Sequence, residues 1–194
     1  MSVSPAELAL IESRRVEPPD DREFLVFAYG SLMWRPDFAF RSVEPATLHG
    51  YHRAFCIRST HYRGSPQCPG LVLGLDRGGR CMGRLYRVRP DDAPDVALYL
   101  HRRELITGCY VPKWLSVATS ERTREKALAY VADRSHYQYA GKLPETEILA
   151  VIRHAIGVMG SNAEYLRNTV QHLDELGVAD SSLHRLLDRL RTGD

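Results

Sequence analysis

Leu71-Val72-Leu73-Gly74-Leu75-Asp76-Arg77-Gly78-Gly79-Arg80-Cys81-Met82-Gly83-Arg84-Leu85-Tyr86-Arg87-Val88 holds two apolar runs on either side of a polar segment with paired glycines. Residues 71–75 read as one strand and 81–88 as its return. Adjacent glycines supply the positive φ that a tight hairpin turn requires, which makes 76–80 the turn. Upstream, Phe24-Leu25-Val26-Phe27-Ala28-Tyr29 is a short apolar run of strand type that stops at Gly30-Ser31. Residues 46–58 alternate with β-branched and aromatic side chains, and 110–118 and 126–132 also read as strands.

Helical signals surround these strands. Ser4-Pro5-Ala6-Glu7 has the form of a capping box with proline at the first helical position, predicting a helix to about residue 14. Residues 91–106 open on Asp91 and stop before Gly108. Residues 135–141 form a Tyr-rich loop. Residues 145–158 carry apolar side chains at helical spacing, with Gly157 and Gly160 marking the end. Ser161-Asn162-Ala163-Glu164 is a second capping box, opening a helix that Gly177 stops. Asp180 caps a last helix with Leu183, Leu186, Leu187 and Leu190 on one face. About six strands with added helices make the fold class α+β. Glycines and arginines at the strand ends suggest a curved or closed sheet.

Composition limits the function classes. The 194 residues suit one domain of ordinary size. Lys and Arg number 26 against 24 Asp and Glu, a net +2 that excludes a strongly cationic nucleic-acid binder. No apolar run is long enough for a membrane helix. The first residues lack the basic and apolar regions of a secretory signal, so the expected location is cytoplasmic. Cys56, Cys68, Cys81 and Cys109 show no CxxC spacing, so zinc-ribbon and thioredoxin-like readings lack support. His49 and His52 stand three apart on a strand and face opposite ways, and no HExxH occurs, so no metal is expected. Ser31 lacks the GxSxG setting of a hydrolase nucleophile. The pairs Arg14-Arg15 and Arg102-Arg103 read as solvated faces.

Two places can carry chemistry. Tyr29-Gly30-Ser31-Leu32-Met33-Trp34 follows a buried strand. Successive backbone N–H groups there can receive a carboxylate or an oxyanion, or the segment is simply a strand-to-loop turn. Glu104 lies near the end of a predicted helix, in line with Leu100 and Ala97. Facing inward, it loses solvation and becomes a stronger base. The alternative is a surface salt bridge with Arg102 or Arg103.

Several blocks in order resemble the ChaC family of γ-glutamylcyclotransferases. They begin with Tyr29-Gly30-Ser31-Leu32-Met33-Trp34-Arg35-Pro36-Asp37-Phe38. Arg53-Ala54-Phe55-Cys56 and Ser59-Thr60-His61-Tyr62-Arg63-Gly64-Ser65-Pro66 come next. Pro69-Gly70-Leu71-Val72-Leu73-Gly74-Leu75 and Gly78-Gly79-Arg80-Cys81-Met82-Gly83 follow. Arg103-Glu104 with Gly108-Cys109-Tyr110 is similar to the segment holding the family's catalytic glutamate. Gly157-Val158-Met159-Gly160-Ser161-Asn162 with Tyr165-Leu166 is similar to its C-terminal helical signature. The likeness spans roughly residues 24–190.

The resemblance implies a small closed or nearly closed β-barrel with flanking helices. It implies a lyase that splits glutathione, γ-Glu-Cys-Gly, into 5-oxoproline and Cys-Gly. The substrate's α-amine attacks its own γ-carbonyl. Glu104 would be the catalytic base and then the acid, with no metal and no other cofactor. Phe27, Ala28, Tyr29, Gly30, Ser31 and Leu32 would bind the γ-glutamyl part, and Tyr139 resembles a family tyrosine near the substrate. The expected partner is a small-molecule substrate, with no nucleic acid and no membrane. Oligomeric state is not legible.

The resemblance has limits. Ala28 stands where many members have glycine, and residues 1–23 form an extension before a catalytic domain at 24–194. Two further readings stand beside glutathione cleavage: a cyclotransferase for other γ-glutamyl peptides or amines, and a non-enzymatic regulator or ligand sensor. Glu104 argues against the last.

Overall fold

The computed structural model describes residues 5–119, 121 and 123–192. β1 (Phe24–Ala28), β2 (Ser42–Ser59), β3 (Gly70–Val88), β4 (Tyr110–Thr119) and β5 (Arg124–Ala132) close into a barrel in the order β1-β3-β2-β4-β5. The α+β class with a small closed barrel holds, its five strands standing near the six or so expected, but the hairpin expected at 76–80 needs correction. Gly78 and Gly79 do take positive φ, 98° and 70°. Yet the two halves of β3 pair with β1 and β2 rather than with each other. Glycines at positive φ inside a strand mark bulges and bends, and here the ladder continues through them. His52 Nδ1 lies 3.0 Å from the Gly78 carbonyl.

β1 is buried at all of its positions, as expected of a continuous apolar run covered on both faces. It pairs antiparallel with β3, from Phe24↔Val88 to Ala28↔Arg84, and parallel with β5 at Val26↔Leu128. β4 and β5 pair antiparallel from Tyr110↔Ala132 to Ala118↔Arg124. β2 joins β4 at 46–48 against 117–119. Closure removes the exposed edges that an open sheet would leave. Arg87 of β3 ties one end together by pairing with Glu44 of β2 at 2.9 Å, with Glu125 of β5, and with Glu23.

The chain divides into two compact units. The first runs to Arg53 and resumes over Leu75–His136. It contains α1 (Pro5–Ser13) and α2 (Ala93–Glu104). Pro5 opens α1 as expected, while the proposed cap Ser4 and the side chain of Glu7 lie outside the described residues. A 3₁₀ turn, Pro90–Asp92, leads into α2. That helix buries Ala93, Val96, Leu100 and His101, a spacing that makes one face.

The second unit comprises Ala54–Gly74 and Tyr137–Asp194. Its helices are α3 (Glu145–His154), α4 (Asn162–Glu175) and α5 (Ser181–Thr192). α3 ends before the expected residue 158. The chain instead forms a small ribbon, β6 (Ile156–Gly157) with β7 (Gly160–Ser161). The amides of Val158 and Met159 donate to the carbonyls of His61 and Tyr62, both at 3.0 Å, rather than to a helical turn. Gly157 packs so closely there that a Cβ would stand 2.5 Å from the His61 carbonyl oxygen. Both later caps form as read. Ser161 Oγ accepts from Glu164 N at 3.1 Å, and Asp180 Oδ1 from Leu183 N at 3.3 Å.

Candidate active site

After β1 the chain leaves the sheet at Tyr29 and Gly30 and makes one 3₁₀ turn over Ser31–Met33. Met33 N donates to Gly30 O at 2.9 Å, and Arg35 N to Ser31 O at 2.8 Å. Side chains from the barrel hold the other carbonyls. Arg53, only 6% exposed, donates Nε to Tyr29 O at 2.5 Å and Nη2 to Met82 O at 2.7 Å. Tyr86 Oη donates to Leu32 O and Met33 O at 3.0 and 3.1 Å. Arg84 Nη1 reaches Met33 O at 3.1 Å. A trans peptide points its C=O and N–H in opposite directions. The Gly30 N–H therefore faces away from Arg53, and the Ser31 N–H faces away from the 3₁₀ turn.

Glu104 is the last residue of α2, one helical turn beyond the fully buried Leu100. Its side chain is 17% exposed, and its Oε1 lies 3.2 Å from Arg103 Nε. Burial pushes the carboxyl above the ordinary carboxylate range, against the charge and hydrogen bond of Arg103. The C-terminal end of a helix also disfavours a negative charge. Arg103 is tied in turn to the strand-end loop. Its Nη2 donates to Ser31 Oγ at 3.1 Å, and its Nη1 to Arg35 O and Tyr99 Oη, both at 2.7 Å. One guanidinium thus joins the acid to the amide-bearing turn.

Two further groups feel the Glu104 charge. Burial pushes the Cys109 thiol up to about 11, and the nearby carboxylate adds to the rise. Burial also raises the Tyr130 hydroxyl, with Glu104 again contributing. Both groups are neutral at physiological pH. The site therefore holds one carboxyl group poised to exchange a proton, beside amides and hydroxyls that can receive an anion. Among the described residues, no group of three His, Cys, Asp or Glu side chains is placed to hold a metal ion.

Phe27 and Ala28 lie buried in β1. Tyr29, Gly30, Ser31 and Leu32 form the turn, and Glu104 belongs to the same unit. Tyr139 belongs to the second unit, where it bridges antiparallel to Ile57. Its neighbours extend the pairing, with Arg58 N on Gln138 O and Ala140 N on Cys56 O, both at 2.8 Å. Sequence reasoning missed Arg53, Arg84, Tyr86 and Arg103. A lone arginine inside an apolar strand, as at Arg53, is a signal that could have been read. Arg103 and Arg14 correct the reading of solvated arginine pairs, since both are partly buried and bonded to backbone carbonyls.

This barrel is the fold of γ-glutamyl cyclotransferases. The chain aligns with a crystal structure of the enzyme specific to glutathione from yeast at a TM-score of 0.81 and 23% identity. That alignment covers 89% of this chain and 97% of the other. Residues 24–192 match the family described as ChaC-like protein, and the chain belongs to that family. The glutathione-specific γ-glutamylcyclotransferase of Escherichia coli (strain K12) is 38% identical over 169 residues, covering 87% of this chain and 73% of that protein. Glutathione-specific γ-glutamylcyclotransferase 1 of Mus musculus is 34% identical over 179 residues, covering 89% and 80%.

Proposed function

We infer that this chain is a γ-glutamylcyclotransferase that cleaves glutathione to 5-oxoproline and Cys-Gly. The observation that carries the reading is Glu104, desolvated at the end of α2 and linked through Arg103 to the Ser31 turn. The names of the relatives point to the same substrate. Residues 24–194 are read as the catalytic domain and 1–23 as its extension.

The chemistry needs little machinery, because the nucleophile is part of the substrate. The α-nitrogen bonds to the γ-carbon, closing a lactam ring, and the bond from that carbon to the cysteinyl nitrogen breaks. Two protons leave the α-nitrogen and two arrive on the departing nitrogen, so no water is consumed. Folding the γ-glutamyl arm into the attack geometry supplies up to roughly 7–11 kcal/mol. The α-ammonium must first lose a proton, and Glu104 accepts it. A carboxyl with a raised pKa is a stronger base than an ordinary one, and its acid form returns the proton to the leaving nitrogen. The backbone from Phe27 to Leu32 would hold the γ-glutamyl group, its N–H groups receiving carboxylate or developing oxyanion charge. Tyr139 is assigned to the substrate's surroundings on the resemblance alone.

Cys56, Cys68, Cys81 and Cys109 are not bridged by disulfides, which suits a reducing compartment that contains glutathione, the cytoplasm. The test is direct: incubate the chain with glutathione and with other γ-glutamyl peptides, and follow 5-oxoproline by mass spectrometry. Release from glutathione is expected. Release only from other γ-glutamyl compounds would change the substrate, and release from none would overturn the enzyme reading.

A further inference from the structure

Arg14 precedes the stretch 24–192 that matches the family, yet its guanidinium lies directly behind the turn that follows Glu104. Leu105 N closes the last helical bond to His101 O at 3.1 Å, and Gly108 N bonds Leu105 O at 2.9 Å. The next three carbonyls are then all held by Arg14 and Asp133. Arg14 Nη1 takes Gly108 O at 2.6 Å and Tyr110 O at 3.0 Å, while Asp133 N takes Cys109 O at 2.9 Å. Arg14 Nη2 and Asp133 Oδ2 meet at 2.5 Å, with only 18% and 12% of their side chains exposed. Asp133 Oδ1 is fixed by Ser135 N and Oγ at 3.0 and 2.6 Å. A second contact reaches the same helix end, since Glu12 Oε1 lies 3.6 Å from Nε2 of the buried His101.

We propose that Arg14 is a positioning residue for the cyclisation. It pins residues 108–110 to Asp133 and so fixes where α2 ends and where the Glu104 carboxyl points. A partly buried guanidinium that satisfies two carbonyls and a carboxylate is a rigid fork that no single ammonium can replace. It touches no substrate and acts through the backbone that carries Glu104.

The inference rests on the cyclotransferase reading, so wild-type 5-oxoproline release is measured first. Absence of that release would sink the reading itself. With an active wild type, Arg14→Ala and Arg14→Lys are compared per folded molecule, at temperatures well below each variant's melting point. Misplacement of the base lowers kcat while leaving ground-state binding alone, so Arg14→Ala is expected to lose about tenfold or more in kcat with KM held within about threefold. Arg14→Lys should recover part of the loss. If Arg14→Ala does not fold, Arg14→Lys decides alone: a lowered kcat at unchanged KM supports the role. A kcat per folded molecule equal to wild type, or a loss confined to KM, overturns it even if the melting temperature falls.

Discussion

Arg103 Nε lies 3.2 Å from Glu104 Oε1, which places a permanent positive charge beside the carboxyl proposed as the base. Burial raises that carboxyl's pKa, and Arg103 limits the rise. The balance between them sets the pH at which this carboxyl ionises.

Arg103→Met therefore has a predictable sign. Without the guanidinium, the carboxyl's pKa climbs further. A base works only when ionised, so the acidic limb of the kcat/KM profile should move to higher pH. Rates measured from about pH 5 to 9 would reveal the shift. A limb that stays in place or moves to lower pH would contradict the coupling.

Glu104→Gln keeps the shape of the side chain and removes its proton exchange. Turnover should fall by about 10²–10⁴-fold, the range usual for loss of a general acid or base. Circular dichroism should remain that of the wild type. Wild-type rates of 5-oxoproline release would remove Glu104 from the mechanism.

Arg53→Leu tests the frame that holds the turn. It strands the Tyr29 and Met82 carbonyls, and an unpaired buried acceptor costs roughly 1–3 kcal/mol. Denaturant titration should show a loss of that order for each carbonyl. The turn should also lose its orientation, and activity with it. An unchanged midpoint would mean that water replaces the guanidinium at no cost.

The sequence was informative where the cause was local. The apolar run of β1, the caps at Ser161 and Asp180, and the face of α5 depend on neighbouring residues, and all were readable. The error at 76–80 came from reading Gly78-Gly79 as a turn. Both glycines have the backbone such a turn needs, but β3 continues through them because its partner strands are β1 and β2. The end of α3 failed similarly, because residues 61–62 capture its next amides from far along the chain. At the site, Glu104 and Ser31 stood out by residue type and place, whereas Arg14 and Arg103 did not. Arg14 reaches Gly108 and Tyr110 across 94 or more residues, and Arg103 reaches Arg35 and Ser31 across 68 or more, and no local pattern reports that.

A base held above its ordinary pKa should weaken the protein that carries it. An unfolded glutamate titrates at about 4.3, whereas burial raises the folded Glu104. The folded state therefore binds this proton more tightly than the unfolded state. Below the unfolded value both states are protonated, and the group contributes no penalty. As pH rises from there through the folded value, the unfolded chain ionises more readily and stability declines. Glutamine does not titrate, so Glu104→Gln should lack this decline. Its melting temperature should match or trail the wild type near pH 4, and gain on it progressively toward pH 8. Thermal melts of both proteins across that range provide the measurement. A difference that stays constant with pH, or that narrows as pH rises, would show that Glu104 is not held above its unfolded pKa.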